Sequence, residues 1–235
     1  MGQRRLDLYP GDKLLVVTDP SGGVTTAVAW GGPAKEQLAR PGEPFGAGPT
    51  DPGEYVVWGI EPHHTTRKWP FSKIPWGAPL EVSPENPDDV LWQERLGRWR
   101  SLNALLGHKN ATAVVAGMYQ RLYGRRMVPP CWVFNDFGPR AVRYFIDSNK
   151  NGVWDRGDQM KGEMFHTTPD NEAEEAVFRR DHPGWAADPP VGMFESHGCI
   201  HMRPTEFGRL ITAGAFTRGT RLTIHRYSEH FHSEP

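Results

Sequence analysis

Short runs of β-branched and apolar residues, separated by proline and glycine, recur along this chain. In residues 13–30, KLLVVTDPSGGVTTAVAW, two such runs flank the cluster Pro-Ser-Gly-Gly at positions 20–23. Val, Ile and Thr favour extended backbone, and a Pro/Gly cluster between two runs is typical of a turn between strands. Glycine (26) and proline (22) together make up about a fifth of the 235 residues, which keeps the elements short. We therefore expect a mainly β fold.

The same criteria predict the rest of the β structure and the end of the chain. Further strands are expected over residues 54–60, 74–82, 131–137, 141–147, 163–168 and 221–227. Residues 203–216 favour a helix. The C-terminal segment with His225, His230 and His232 is predicted to be a solvated tail.

Residues 84–127 differ from the rest because apolar residues recur there at spacings of three and four. Between Pro87 and Gly107 these are Trp92, Leu96, Trp99, Leu102 and Leu106. This spacing predicts an amphipathic helix that is capped by Asn86 and ends at Gly107. A second helix is predicted to end at Gly124. We therefore predict a single domain over residues 1–235, α+β in class, with a helical insertion at about 84–127.

Charge and hydropathy limit the classes of partner. Lys plus Arg number 27 against 28 for Asp plus Glu, which gives no electrostatic reason to expect nucleic acid or an anionic membrane. No run approaches the roughly 20 apolar residues that span a bilayer. The start MGQRRLDLYPGDKLLVV lacks the apolar stretch of a secretory signal. Either a leader was removed, or export uses another route, or the protein stays inside the cell.

The segment FESHGCIHMRP, residues 194–204, holds one of two cysteines in the chain. A cysteine nucleophile reacts as its thiolate and therefore needs a base nearby and room for a carbonyl. Gly198 permits close approach, and the amides of Gly198 and Cys199 are candidate donors to an oxyanion. The candidate base is His166, which follows a strand-like EMF. The other cysteine, Cys131, precedes an apolar run and favours a core position.

The motif SHGCIHM, with a strand ending in FHTT before it and a helix and GTRLTI after it, resembles the catalytic domain of L,D-transpeptidases, the YkuD-type family. GPTDPGEYVV and TRGTRLTIHRY resemble further segments of that family. The resemblance covers most of the chain outside the insertion, although only the cysteine motif is sharply specific. It implies a β-sandwich-like domain that carries a cysteine active site.

The resemblance also implies residue roles. Cys199 is expected to be the nucleophile and His166 the general base, with the carbonyl of Thr167 orienting the imidazole. His197 and Gly198 are expected to line the oxyanion site, and Ser196 to support the loop. The substrate is expected to be a peptidoglycan stem tetrapeptide, which loses its terminal D-alanine as the acyl group passes from the cysteine to an amine. No cofactor is needed for this chemistry.

Two departures from the family pattern affect these roles. The family usually places Arg or Asn two positions after the cysteine, where this chain has His201; we name His201 and Arg203 as substrate-binding residues. His166 lies 33 residues before Cys199, which is longer than usual, and His182 is closer to the usual separation. We prefer His166 because an EMF strand precedes it, and His182 remains the rival base.

Other interpretations of the cysteine motif stay open. A lone cysteine is often a buried structural residue. His197 and His201, two residues on either side of Cys199, also suggest a zinc site. A structural zinc site usually has four ligands, however, and the sequence near Cys131 offers no further Cys or His ligand. Within the enzyme class, an L,D-carboxypeptidase or a secreted antibacterial wall-modifying effector would use the same residues. A non-catalytic, calcium-stabilised wall-binding module is the alternative from another class.

The segment DSNKNGVWDRGD matches a calcium loop of the EF-hand type. Its candidate ligands are Asp147, Asn149, Asn151, Val153 through its backbone carbonyl, Asp155 and Asp158. The flanks look like strands, and the last ligand is Asp where Glu is usual. The simpler interpretation is a hairpin turning tightly at Asn151-Gly152. We predict structural calcium as an addition to the fold; by the resemblance, the protein belongs in the cell envelope or periplasm.

Overall fold

The computed structural model describes residues 3–39, 46–65, 69–107 and 109–232, which form two compact units. The first unit is drawn from residues 1–61, 140–167 and 191–235, and the second from 62–139 and 168–190. In chain order the elements are β1 (Arg5–Tyr9), β2 (Leu14–Thr18), β3 (Val24–Trp30), β4 (Gly53–Glu61), β5 (Leu80–Val82), β6 (Val90–Gln93), β7 (Trp99–Ser101), α1 (Leu102–Leu106), α2 (Ala111–Tyr123), β8 (Ala141–Ile146), β9 (Gln159–His166), α3 (Pro169–Asp181), β10 (Ile200–Met202), α4 (Pro204–Thr212) and β11 (Arg221–Ile224).

The first unit is a closed barrel of eight strands in the order β1-β11-β4-β8-β9-β10-β3-β2. Most neighbours are antiparallel, and the pairs β1–β11 and β9–β10 are parallel. Alternate residues point inward and form one apolar core, to which Phe207 and Leu210 of α4 contribute. The prediction of a mainly β fold is confirmed, and the sheet closes into a barrel where a β-sandwich-like domain was expected.

The second unit combines the antiparallel sheet β5-β6-β7 with the helices α1, α2 and α3. Its core gathers around fully buried Trp132, whose indole N–H donates to the Phe71 carbonyl at 2.9 Å. Asn110 caps α2 through its side chain, and Gly124 ends that helix with φ +74°. The predicted end of the second helix is therefore confirmed.

The predicted helix between Pro87 and Gly107 is wrong except for its last turn. Strands β6 and β7 occupy most of the segment, and only Leu102–Leu106 is helical. Leu96, expected on the buried face, is 84% exposed in a turn that closes through Gly97 N–H to the Glu94 carbonyl. Trp92 and Trp99 stand at a helical spacing by coincidence, because they belong to two short strands that are joined by a turn.

Three other predictions need correction. Residues 131–137 do not form a strand, since only Cys131 makes an isolated bridge, to Pro79. Cys131 is partly exposed, and both cysteines are free thiols. The C-terminal segment is partly fixed to the barrel, because the His225 ring stacks on the Tyr9 ring with centroids 4.1 Å apart.

Among the described residues, no helix is long and apolar enough to cross a membrane.

Candidate active site

The pairing of β9 with β10 brings the segment that follows Cys199 alongside the candidate base His166. Ile200 is paired with Phe165, and His201 with His166. Phe165 and Ile200 point into the apolar core. Because side chains alternate along a strand, His166 and His201 lie on the other face, and Cys199 immediately precedes β10.

The ring of His166 is held in one tautomer. The residue is 3% exposed, and its Nδ1 lies 2.7 Å from the Thr167 carbonyl oxygen. A carbonyl only accepts, so Nδ1 carries the hydrogen and donates to it. Nε2 of the neutral ring is then the acceptor, which is the form that a general base requires.

The Cys199 thiol is held protonated. Burial raises its pKa to about 11, a hydrogen bond from the Met164 backbone acts in the opposite direction, and the Glu163 charge raises it further. The residue as a whole keeps some exposure, but the sulfur lies in a desolvated environment. At neutral pH this thiol therefore needs a base to become a nucleophile.

The loop that carries Cys199 is fixed by two hydroxyl groups. Ser196 Oγ accepts from the Gly198 N–H at 2.9 Å and donates to the Cys199 carbonyl. Fully buried Thr50 donates to the Gly198 carbonyl at 2.8 Å and accepts from the Gly32 N–H at 3.0 Å. Gly198 has φ +126°, a conformation that favours glycine. The Gly198 amide, which we predicted as an oxyanion donor, is thus already bonded to Ser196.

The predicted substrate-binding residues have other partners. The His201 ring packs edge-on against His166, with centroids 4.8 Å apart, and its Nδ1 lies 3.1 Å from the Phe194 carbonyl oxygen. Burial lowers its pKa from 6.5 to about 4, so it is neutral at pH 7 and offers no positive charge to a carboxylate. Arg203 precedes α4, and its Nη1 lies 4.0 Å from Oε2 of Glu206.

Two further predicted residues have surroundings of their own. His197 lines a small cavity of about 50 Å³ together with Ser196 and Leu38. His182 ends α3 in the second unit, where it is exposed and stacks on Phe178 at 4.3 Å. The β9–β10 pairing sets His166 beside His201, two residues after Cys199, whereas His182 follows α3.

Two residues that sequence reasoning did not single out belong to the site. Thr50 stands in GPTDPGEYVV, a segment that already carried the family resemblance, so its position held a usable signal. Glu163 is a carboxylate inside a barrel strand, and burial raises its pKa. In the sequence, the position of Glu163 three residues before the candidate base is only a weak indication that it belongs to the site.

The loop between β8 and β9 satisfies its acidic groups internally. Asp147 accepts from the backbone N–H groups of Asn151 (3.2 Å) and Gly152 (2.7 Å), and Asp158 accepts from Ser148 and Asp155. β8 and β9 remain paired as far as Ile146 and Gln159, so the predicted tight hairpin turn at Asn151-Gly152 is wrong. Within the described ranges no group of three or more His, Cys, Asp or Glu is placed to hold a metal ion. Calcium binding here stays a prediction.

Comparison with known proteins identifies the family. The family model of the YkuD L,D-transpeptidase catalytic domain matches residues 3–213, and the chain therefore belongs to this family. No curated protein matches the sequence. The chain is also similar to the crystal structure of the L,D-transpeptidase (residues 123–326) from Xylanimonas cellulosilytica DSM 15894, at 12% identity and a TM-score of 0.39. That match covers 95% of this chain and 61% of that one.

Proposed function

We propose that the protein is a cysteine-dependent L,D-transpeptidase that acts on peptidoglycan stem tetrapeptides. The observation that supports the proposal is the β9–β10 pairing, which sets His166 beside His201, two residues after Cys199, with the Nδ1 hydrogen of His166 bonded to the Thr167 carbonyl. A protonated thiol and an imidazole whose Nε2 acts as acceptor are the starting state for nucleophilic acyl transfer. Membership of the YkuD family supports the substrate class.

The reaction follows in two half-reactions. His166 Nε2 takes the thiol proton as the sulfur of Cys199 bonds to the carbonyl carbon of the third stem residue. The bond from that carbon to the nitrogen of the terminal D-alanine then breaks, and the imidazolium returns its proton to the leaving amine. An acceptor amine attacks the thioester and loses a proton through His166, and the sulfur leaves as the thiol. Because the substrate belongs to the wall, we propose that the protein works in the cell envelope.

Mass spectrometry of the products tests this function. The protein is incubated with a stem tetrapeptide and an amine acceptor, and we expect free D-alanine together with a peptide joined to the acceptor. Release of the tripeptide alone would instead indicate an L,D-carboxypeptidase. Cys199→Ala should abolish both products, whereas the matched control Cys131→Ala should retain activity. Retained activity in Cys199→Ala would contradict the proposal.

A second pair of variants tests the base. His166→Ala should lower kcat/KM at least about a hundredfold, since a positioned general base typically contributes that much or more. His182→Ala should leave it close to the wild-type value. The reverse ranking would assign the base to His182.

A further inference from the structure

A cavity of about 280 Å³ borders the segment that carries the candidate nucleophile. Sites for drug-sized ligands usually measure about 300–1,000 Å³, so this cavity suits a group the size of one amino acid. All of its lining residues belong to the barrel unit. Its walls include Lys13, Trp30, Gly31, Gly32, Glu195 and Tyr227.

The backbone connects this cavity to Cys199. Extending the antiparallel β3–β10 register by two residues places Gly32 opposite Cys199. In agreement, a side chain at Gly32 would begin 3.0 Å from the Gly198 nitrogen. The Ser196 N–H also donates to the Gly31 carbonyl at 3.2 Å. The cavity wall and the Cys199 loop are therefore neighbouring stretches of backbone.

Trp30 forms an aromatic wall of the cavity on the face that carries the candidate base. It is paired with His201 across β3 and β10, and its neighbour Ala29 points into the apolar core. Directly paired side chains lie on the same face of a sheet, so Trp30 shares the face of His201 and His166. The Lys13 ammonium nitrogen lies 3.5 Å from the centre of the Trp30 ring. A cation is thus held where the neutral ring of His201 supplies none.

Lys13 adopts a backbone conformation that is costly for lysine. Its φ of +57° and ψ of +40° lie in the left-handed region. Hydrogen bonds with the Pro10 carbonyl and the Ala29 N–H fix its backbone. Asn or Gly would occupy this position with less strain. A lysine that persists at a strained position suggests a role for its side chain.

The cavity presents two opposite charges. Lys13 and Glu195 are both exposed to solvent, and within the described ranges neither forms an ion pair. A ligand with a carboxylate alone would be repelled by Glu195, and one with an ammonium alone would be repelled by Lys13. A group that bears both charges gives each side chain a charge-assisted hydrogen bond.

We propose that this cavity is a subsite for a zwitterionic amino-acid group of the wall substrate, in which Lys13 binds the carboxylate and Glu195 binds the ammonium. The inference rests on the proposed function, because it concerns the same substrate. Two groups have this chemistry. One is the terminal D-alanine, whose amine becomes an ammonium on release by taking a proton from water. The other is a stem side chain that ends in an α-amino acid, as in diaminopimelate.

NMR titration with small compounds tests the subsite without turnover. The reporter is the Trp30 indole N–H signal, which is assigned by its loss in Trp30→Phe. We expect a saturable shift with D-alanine, and binding at least about fivefold weaker for D-alaninamide, which lacks the carboxylate, and for D-lactate, which lacks the ammonium. Absence of a saturable shift with D-alanine, or equal affinity for the three compounds, would overturn the inference.

Matched variants separate a binding role from a structural one. Lys13→Asn relieves the strain, so the Tm should be kept or raised while the preference for D-alanine over D-alaninamide disappears. Lys13→Arg keeps the charge and should keep the preference. Lys150→Asn makes the same substitution at the other described non-glycine residue with positive φ (+62°), outside the cavity, and should leave binding unchanged. A lowered Tm in Lys13→Asn with the preference retained would assign Lys13 to structure alone and overturn the inference.

Turnover of paired tetrapeptides identifies which group of the substrate enters the cavity. One pair ends in D-alanine or D-alaninamide, and the other has diaminopimelate or lysine at the third position. A KM about fivefold lower for the first member of a pair, with the difference lost in Lys13→Asn, assigns the cavity to that group. No difference in either pair would overturn the inference. Absence of turnover in the wild type, together with saturable binding of D-alanine, would contradict the proposed function alone.

Discussion

Acidification should destabilise the protein through His201, whose neutral ring packs against His166. Burial lowers the pKa of His201 from 6.5 to about 4 in the folded protein. The unfolded chain therefore binds a proton in this pH range that the folded chain does not, and stability falls as pH falls from 6.5 to 4. At 1.36 kcal/mol per pH unit the difference corresponds to about 3 kcal/mol. Since the ring edge is partly exposed, solvent screening reduces the expected value to about 2 kcal/mol.

Urea unfolding of the wild type and of His201→Phe at pH 7, 6, 5 and 4 measures this effect. Phenylalanine keeps the ring but has no titratable nitrogen. At pH 7 the variant should be about 1 kcal/mol less stable, because it loses the hydrogen bond to the Phe194 carbonyl. By pH 4 the order should reverse. His182→Phe, at an exposed position, serves as the matched control and should follow the wild-type curve. Parallel curves for the wild type and His201→Phe would refute the reasoning.

Three further predictions concern the loops around the site. Thr50→Val removes a buried hydroxyl that bonds Gly198 and Gly32, and we expect a loss of about 2–4 kcal/mol in calorimetry; a loss under 0.5 kcal/mol would show that these bonds are replaced by water. Gly198→Ala forces a side chain onto φ +126°, which should destabilise the protein by about 1–3 kcal/mol and slow turnover, whereas an unchanged Tm and rate would contradict the strain. Millimolar calcium should raise the Tm of the wild type but not of Asp147→Asn, and no rise in either removes the calcium prediction.

Sequence patterns located most strands of the barrel because each of these strands carries its own alternation, whereas β1, β10 and the closure of the sheet were not predicted. Leu15 and Val17 on β2, or Val142 and Tyr144 on β8, point inward at every second position, and local spacing is enough to reveal this. The same reasoning failed between β6 and α1, where Trp92 and Trp99 stand at a helical spacing but belong to paired strands. Long-range pairing decided that segment, and a single sequence does not show it.

Other elements were missed although their signals were present. Before α3, Thr168 accepts from the Asn171 N–H, Pro169 is the first helical residue, and Asp170 and Glu172 lie in the first turn. These are ordinary start signals for a helix, and they directly follow the candidate base His166. The helix also accounts for the long separation between His166 and Cys199, since it is inserted between β9 and β10.

The candidate site was predictable where it lies in one continuous motif and unpredictable where it depends on burial. Cys199, Ser196 and Gly198 are adjacent in sequence, and His166 follows a strand. The neutral state of His201 and the influence of Glu163 arise only when distant strands enclose them. A histidine in place of Arg or Asn suggested a substrate contact, but its position in the fold makes it a neutral neighbour of the base.

These surroundings favour proton transfer during attack rather than before it. A separated thiolate and imidazolium would place two charges in a desolvated region that already holds the charge of Glu163. Under the proposed mechanism the thiol is protonated at rest, and His166, with Nε2 as acceptor, would remove its proton only when a carbonyl carbon is present to bond to the sulfur. In that mechanism reactivity would depend on an occupied site, because electrophiles in solution would meet a thiol and only a bound substrate would meet a thiolate.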